Sequence, residues 1–307
     1  MPVASVDEAF KELLRRIELN PSRVALASQR YDAVKASIES ALPGKTLHQI
    51  GSFQRKTKIR PADLSDKLDV DVVVSFGRFF QYALPGTEGV SPSKALQIVR
   101  QAIRSNDIYS VMPQQEDHPT IRIEYADQMA IEFVPAYEDL TGQHDHGPNG
   151  PICYIVAGSP YTWKTADYDY DAQIISGLNA LSDETLVPTV KLVKAYFRNA
   201  TVPLKSFHTE ILVANAIPGL VSEWKGKGYR YGYHHLLAGF LSRVSQTITN
   251  PAVLHGSFSP PIDSSLNLTT LASLGTFLTA RAEAAWSLCK TNAIYGWREF
   301  FGEPFPS

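Results

Sequence analysis

GSFQRKTKIRPADLSDKLDVDVVVSF, residues 51–76, is the stretch on which the reading of this chain turns. Gly51-Ser52 follows a short alternating run, Thr46 to Ile50, that reads as a strand. A basic loop with Arg55, Lys56, Lys58 and Arg60 comes next, and Asp69-Val70-Asp71 then opens an apolar strand, Leu68 to Phe76. Successive strand side chains alternate faces, so Asp69 and Asp71 share one face while Val70, Val72 and Val74 share the other. Two carboxylates side by side on a rigid element repel by roughly 4 kcal/mol at ~4 Å and an effective dielectric of 20, and a divalent cation reverses that sign. Hard oxygen ligands of this kind suit Mg²⁺, which shares its shell with phosphates and water. A lone Asp-x-Asp also describes a half-exposed edge strand with solvated acids. The Gly-Ser before it, weak alone, shifts the balance together with a third acid, because exposed backbone N–H groups and a hydroxyl can cradle phosphate oxygens.

The rest of the chain bounds the answer. Its 307 residues suffice for one large or two modest domains, and 44% hydrophobic with 20% charged residues is a globular composition. A formal net charge of −2 gives no global positive field for long nucleic acid, so any phosphate-binding surface is local. No run of 18 apolar residues and no secretory signal pattern occurs, which predicts a cytoplasmic protein that does not enter a membrane. Cys153 and Cys289 have no zinc-site spacing and read as free thiols.

Apolar spacing predicts helices over Val6 to Leu19 and from Asn20-Pro21 to about Leu42, then strands at Tyr109 to Met112, Thr120 to Tyr125 and Met129 to Ala136. One helix interrupts them, from Ser91-Pro92 to about Ser105. Beyond Tyr137 a Gly/Pro/Asp/Tyr-rich segment (TGQHDHGPNGP, then SPYTWKTADYDYD) reads as a loop between lobes. Helices follow at Asp171 to Leu181, Glu184 to Asn199, Ser206 to Ala216, Tyr233 to Thr249 and Leu268 to Thr291. The expected organisation is an α+β lobe over residues 1–165 and a helical lobe over 166–307, with the first helices packing across both.

Gly-Ser, a basic loop and Asp-x-Asp on an apolar strand together resemble the signature of the DNA polymerase β-like nucleotidyltransferase superfamily. MAIEFVPAYE, residues 129–138, resembles that family's third-carboxylate strand, with Glu132 where Asp is usual. PTVKLVKAYFRNATVPLKSFHTEILV, residues 188–213, resembles the second nucleotide-binding segment of the oligoadenylate synthase, cyclic GMP-AMP synthase and bacterial cyclic-oligonucleotide synthase group. The resemblance spans about residues 50–213. It implies a nucleotidyltransferase lobe with a twisted mixed sheet, joined to an oligoadenylate-synthase-like helical lobe. Asp69, Asp71 and Glu132 would be the catalytic and metal-binding acids, with Mg²⁺ as cofactor and Mn²⁺ as its alternative. Gly51, Ser52, Lys194 and Ser206 would hold a triphosphate of ATP, GTP or another nucleoside. The implied activity is template-independent, pyrophosphate-releasing synthesis of a cyclic di- or trinucleotide second messenger in anti-phage signalling. The alternatives are a nucleotide-binding scaffold without chemistry, and a transferase that nucleotidylates a protein, an RNA end or a small molecule. No Cys/His cluster resembles the zinc insertion of the DNA-sensing animal enzyme, so long duplex DNA is not an expected partner, and a regulatory protein partner is left open.

Other features have competing readings. His144-Asp145-His146 reads as a solvated loop or a metal site, and Lys225, Lys227 and Arg230 as a basic surface turn or a phosphate contact. The loop cations Arg55, Lys56, Lys58 and Arg60 read equally as phosphate steering or solvated charge. Tyr137 fits a base-stacking role or the core, and Glu124 is expected on a separate strand outside the site. Asp263 and Asn267 lie in a segment that loosely resembles the family's C-terminal part.

Overall fold

Two capped helices open the chain. Ser5 accepts the Glu8 N–H ahead of α1 (Val6–Ile17), and Asn20 accepts the Ser22 N–H ahead of α2 (Pro21–Ala41), with Pro21 at its first position. Both starts satisfy helix N–H groups that have no intrahelical partner. The structure, a computed structural model, describes residues 3–62, 68–78, 90–117, 120–139, 146–147, 150–158, 162–262 and 266–306.

Next come β1 (Thr46–Ile50), a single turn α3 (Gly51–Gln54) and β2 (Leu68–Arg78), followed by α4 (Pro92–Arg104), α5 (Asp107–Ser110), β3 (Gln114–Asp117), β4 (Thr120–Glu124) and β5 (Met129–Glu138). Two strands complete the sheet, β6 (Tyr154–Gly158) and β7 (Thr162–Ala166). The order is β1-β2-β5-β4-β3, with β6 on β5 and β7 on β6. Among the described residues only β2 and β5 pair in parallel, so their seven-stranded sheet is mixed and the class is α+β.

One face of the sheet is apolar because the alternation demands it. Val70, Val72, Val74, Ile121, Ile123, Ile131 and Phe133 pack there against Val34 and Ile38 of α2 and Leu96, Val99 and Ile103 of α4. On the other face a small apolar patch (Ile50, Val73, Val134, Ala136, Tyr154, Val156, Ala166) lies beside the polar positions of β2 and β5. The helices α6 (Tyr168–Leu181), α7 (Leu186–Asn199), α8 (Ser206–Gly226), α9 (Tyr233–Thr247), α10 (Leu268–Thr291) and α11 (Arg298–Phe301) share a third core. That core also takes Val6, Phe10, Leu13, Leu14 and Ile17 of α1. The first two helices therefore divide: α1 packs with the helices and α2 on the sheet. No helix among the described residues is long and apolar enough to cross a membrane.

Three local expectations are corrected. Tyr109 to Met112 is not a strand. Asn106 accepts the N–H groups of Ile108 and Tyr109, and this cap turns Asp107–Ser110 into helix despite the β-favouring Tyr and Val. The segment read as an interlobe loop contains strands, because β6 is largely buried and β7 pairs with it at the sheet edge with its outer residues exposed. Finally, α8 does not stop at Ala216 but continues through Pro218 to Gly226. A proline inside a helix costs about 3 kcal/mol, and burial of Leu220 and Val221 on the continuing turns offsets it.

Candidate active site

The sheet register assembles the acids. Ile50 pairs with Asp71, Asp71 with Glu132, and Glu132 with Arg122, so one row crosses β1, β2, β5 and β4. Registered partners share a face. The adjacent row on that face runs Asp69, Ala130, Glu124. Asp69, Asp71 and Glu132, three of the residues singled out in the sequence, are thus brought together, and Arg122 and Glu124 join them. Glu124 is on a separate strand as expected but not outside the site.

Gly51 sits one residue past this row, with φ +73°, where a side chain is strained. A Cβ there would overlap the Asp71 carboxylate, whose Oδ2 would lie 2.1 Å from it. Glycine is therefore required both by the turn and by the close approach of Asp71. Ser52 follows, buried within α3.

The acids perturb one another. Burial pushes the Asp71 carboxyl above the ordinary range; Asp69 adds to the rise, while Lys58 and Arg55 oppose it. Burial also raises Glu132, helped by Asp69 and Asp71 and countered by Arg122. Arg122 Nη1 donates to Glu132 Oε1 at 2.8 Å, Nε lies 3.0 Å from Glu124 Oε1, and Nη2 lies 2.8 Å from Asp69 Oδ1. The Asp69 contact has ion-pair distance without hydrogen-bond alignment, and Asp69 Oδ1 is buried with no hydrogen-bond partner. Residues that suit a divalent ion are therefore present: hard carboxylate oxygens on one face, one of them without an aligned hydrogen bond, with raised carboxyls that a cation would hold ionised. Among the described residues the three acids do not converge within 4.8 Å of one another. Arg122 stands among them.

Beside the acids, the loop after α3 meets α7 and α8. Arg55 Nε donates to Glu210 Oε2 at 2.7 Å and Nη2 to Oε1 at 3.3 Å, while the guanidinium lies 4.3 Å from the Phe207 ring centroid. Lys194 Nζ donates to Glu210 Oε1 (2.7 Å), Thr57 O (3.1 Å) and Thr57 Oγ1 (3.3 Å). Arg55, Thr57, Lys194 and Glu210 are all buried. Burial alone would raise Glu210, but Arg55 and Lys194 outweigh it and hold the carboxyl at about 2. Arg55 is thus neither solvated nor free to steer phosphate; it is an internal brace. The Lys194 ammonium likewise spends its three protons on internal oxygens. Sequence reasoning missed Glu210, whose only signal is an acid directly before the apolar run Ile211 to Ala214 of α8.

A cavity of about 310 Å³ opens here, lined by Lys58, Asp69, Lys194, Arg198, Ser206 and Thr209 among others. Asp69, Lys194 and Ser206, far apart in sequence, thus face one space. Ser206 is exposed at the first turn of α8, where N–H groups have no intrahelical partner. Lys58 is half-buried and lines the same cavity.

The remaining candidates lie elsewhere. Tyr137 is core, packed on Phe76 and Trp163. His146 Nε2 lies 2.7 Å from Asp167 Oδ2 and its ring stacks on Tyr170, while His144, Asp145 and Asp263 fall outside the described residues. Asn267 caps α10 through the Thr270 N–H. Lys225 pairs with Asp183 and Lys227 with Glu223, so acids offset that basic turn. His234, His235 and Cys289 cluster within 4.8 Å, but Gly232 N–H donates to His235 Nδ1 and the Cys289 thiol to His234 O. Their polar atoms cap and pack α9.

The chain is also similar to known proteins. Residues 4–149 match the model of the Second Messenger Oligonucleotide or Dinucleotide Synthetase domain. The chain is 24% identical over 310 residues to a probable cyclic nucleotide synthase of Bacillus cereus strain VD146, covering 91% of this chain and 88% of that protein. Among solved structures, the CD-NTase CdnG of Bradyrhizobium diazoefficiens in complex with GTP is similar at TM-score 0.71 and 15% identity, covering 97% of this chain and 96% of that one. CdnC of Escherichia coli MS115-1 with ATP is similar at TM-score 0.67 and 15% identity, covering 97% and 98%. The chain shares the fold of these solved structures, a mixed-sheet α+β fold with packed helices. The family match covers just under half of the chain, and the likeness to the Bacillus cereus protein runs over most of it.

Proposed function

We propose that this protein is a template-independent synthase that joins nucleoside triphosphates (ATP, GTP or both) into a cyclic di- or trinucleotide second messenger, with Mg²⁺ as cofactor and Mn²⁺ as a substitute. The observation that carries the reading is the row of Asp71 and Glu132 beside Asp69, which itself lines a cavity shared with Lys194 and Ser206. A cytoplasmic place and a role in anti-phage signalling belong to the same proposal, as does a division into lobes 1–165 and 166–307 with the nucleotide between them.

Each residue has a role. Gly51 lets Asp71 approach the phosphate-binding turn, and Ser52 with the N–H groups of that turn holds phosphate oxygens. Ser206 offers its hydroxyl and the N-terminus of α8 to the distal phosphates. Lys194 supplies positive potential from its braced position, with Lys58 beside it. Asp69, Asp71 and Glu132 would hold the divalent ions, and Glu132 would accept the proton of the attacking ribose hydroxyl. Bound divalent ions would neutralise charge on the phosphates and acidify that hydroxyl. Attack at the α-phosphorus forms the new P–O bond as the bond to pyrophosphate breaks, and a second round closes the ring. Positioning and electrostatics supply most of the acceleration.

The test is incubation with all four labelled ribonucleoside triphosphates and Mg²⁺, then phosphatase and nuclease digestion and mass measurement. A phosphatase-resistant cyclic product with released pyrophosphate is expected. Triphosphate binding without pyrophosphate release would make the chain a scaffold. Product formed only with an added protein, RNA or small-molecule acceptor would make it a different transferase.

A further inference from the structure

Arg122 has no part in the chemistry above, yet it is the residue most tightly placed among the acids. Its side chain is 13% exposed, and all three guanidinium nitrogens lie within 3.0 Å of an acid oxygen, one each from Asp69, Glu124 and Glu132. Strand alternation put it there: Ile121 and Ile123 enter the core, so Arg122 and Glu124 must project on the acid face. Four carboxylates on that face, Asp69, Asp71, Glu124 and Glu132, repel one another in a half-buried setting, and a planar fork is the cation shape that can reach several at once. A divalent ion needs the same oxygens.

We propose that Arg122 is the resident counter-ion of this site, holding the acids apart and neutralised until a divalent ion arrives together with a triphosphate and displaces it. This rests on the reading of Asp69, Asp71 and Glu132 as metal-binding acids. A divalent ion alone has to expel a tethered cation that already has three partners, and it gains only the carboxylates. An ion carrying a triphosphate gains the phosphate contacts at the cavity as well. Arg122 thereby couples metal binding to nucleotide binding, and linkage makes that coupling reciprocal. The device keeps the metal-free acid face folded without making it a strong metal chelator, and it commits ions to the site only when substrate is present.

The test measures Mn²⁺ binding directly, by the electron paramagnetic resonance signal of free Mn²⁺, with and without a non-hydrolysable triphosphate. Wild type should bind Mn²⁺ weakly alone and far more tightly with the triphosphate. Arg122→Met should bind Mn²⁺ alone about tenfold more tightly, equivalent to ~1.4 kcal/mol, and the gain on adding triphosphate should shrink by a similar factor. Its melting temperature should fall without metal and recover with Mn²⁺. Arg122→Lys, which keeps the charge but loses the fork, serves where the Met variant does not fold and should tighten Mn²⁺ binding by a smaller factor. A merely structural arginine would not improve metal affinity when removed. If Asp71→Asn abolishes Mn²⁺ binding while neither arginine variant binds Mn²⁺ alone more tightly than wild type, the counter-ion role is overturned and the acid site stands. If Asp71→Asn leaves Mn²⁺ binding with triphosphate unchanged, the metal reading of the acids fails and this inference with it.

Discussion

Replacing Glu210 with Gln probes the brace between the loop after α3 and the helices. Glu210 is fully buried, with Arg55 and Lys194 as its partners at 2.7 Å. Its carboxyl is held at about 2 against an ordinary 4.5, and that difference corresponds to about 3 kcal/mol of stability. Because the folded value is depressed, the contribution is complete above the ordinary carboxyl range and disappears as pH falls from about 4.5 towards 2. Glu210→Gln at neutral pH should therefore lose about 3 kcal/mol, within the ~3–5 kcal/mol expected when one partner of a buried pair is removed and the cations are left uncompensated. At roughly 2–4 °C per kcal/mol for a chain of this size, the melting temperature should drop by about 6–12 °C. Urea unfolding at pH 7 and again at about pH 3 provides the assay, with the gap between wild type and variant narrowing at the lower pH. A variant within about 1 °C of wild type at pH 7 would show that these buried groups do not form an ionised brace.

Further outcomes follow from the acid face and the interior. Asp69→Asn combined with Asp71→Asn should abolish product while the metal-free melting temperature at pH 7 holds or rises; since the Asp71 carboxyl is raised by burial, any gain should shrink as pH falls into the carboxyl range, checked by thermal melts across pH. Glu132→Gln should lower turnover by at least the roughly 10²- to 10⁴-fold typical of losing a general base, whereas Glu132→Asp should be milder; initial pyrophosphate-release rates decide. Asp171, 1% exposed and pushed up to about 6 by burial, takes up a proton on folding below that value, so stability falls by at most about 3 kcal/mol as pH rises from about 4 to 6, and Asp171→Asn should remove that slope in urea titrations.

Much of this was legible in the sequence because alternation and capping act locally. Asp69 and Asp71 share a face because β2 is a strand, and Leu268–Thr291 emerged with both ends as expected because its apolar spacing is regular and Asn267 caps it. What was not legible depends on contacts distant in sequence. Nothing local distinguishes Arg55, which turns inward to Glu210 155 positions away, from Lys56, which stays exposed. Arg122 and Glu124 alternate visibly with Ile121 and Ile123, but only the strand order β2-β5-β4 brings them beside Asp69 and Glu132. The strands β6 and β7 were hidden because the Gly/Pro-rich residues around them signal turns more strongly than five-residue strands signal themselves.

The most direct test of the central claim is crystallographic: anomalous scattering from Mn²⁺ in crystals grown with a non-hydrolysable triphosphate. The expected result is Mn²⁺ bound by Asp69, Asp71 and Glu132, with the triphosphate between them and the turn at Gly51-Ser52, its distal phosphates towards Ser206, and Arg122 withdrawn from the acids. Mn²⁺ or triphosphate bound away from this row, with Arg122 still paired to Asp69 and Glu132, would contradict it.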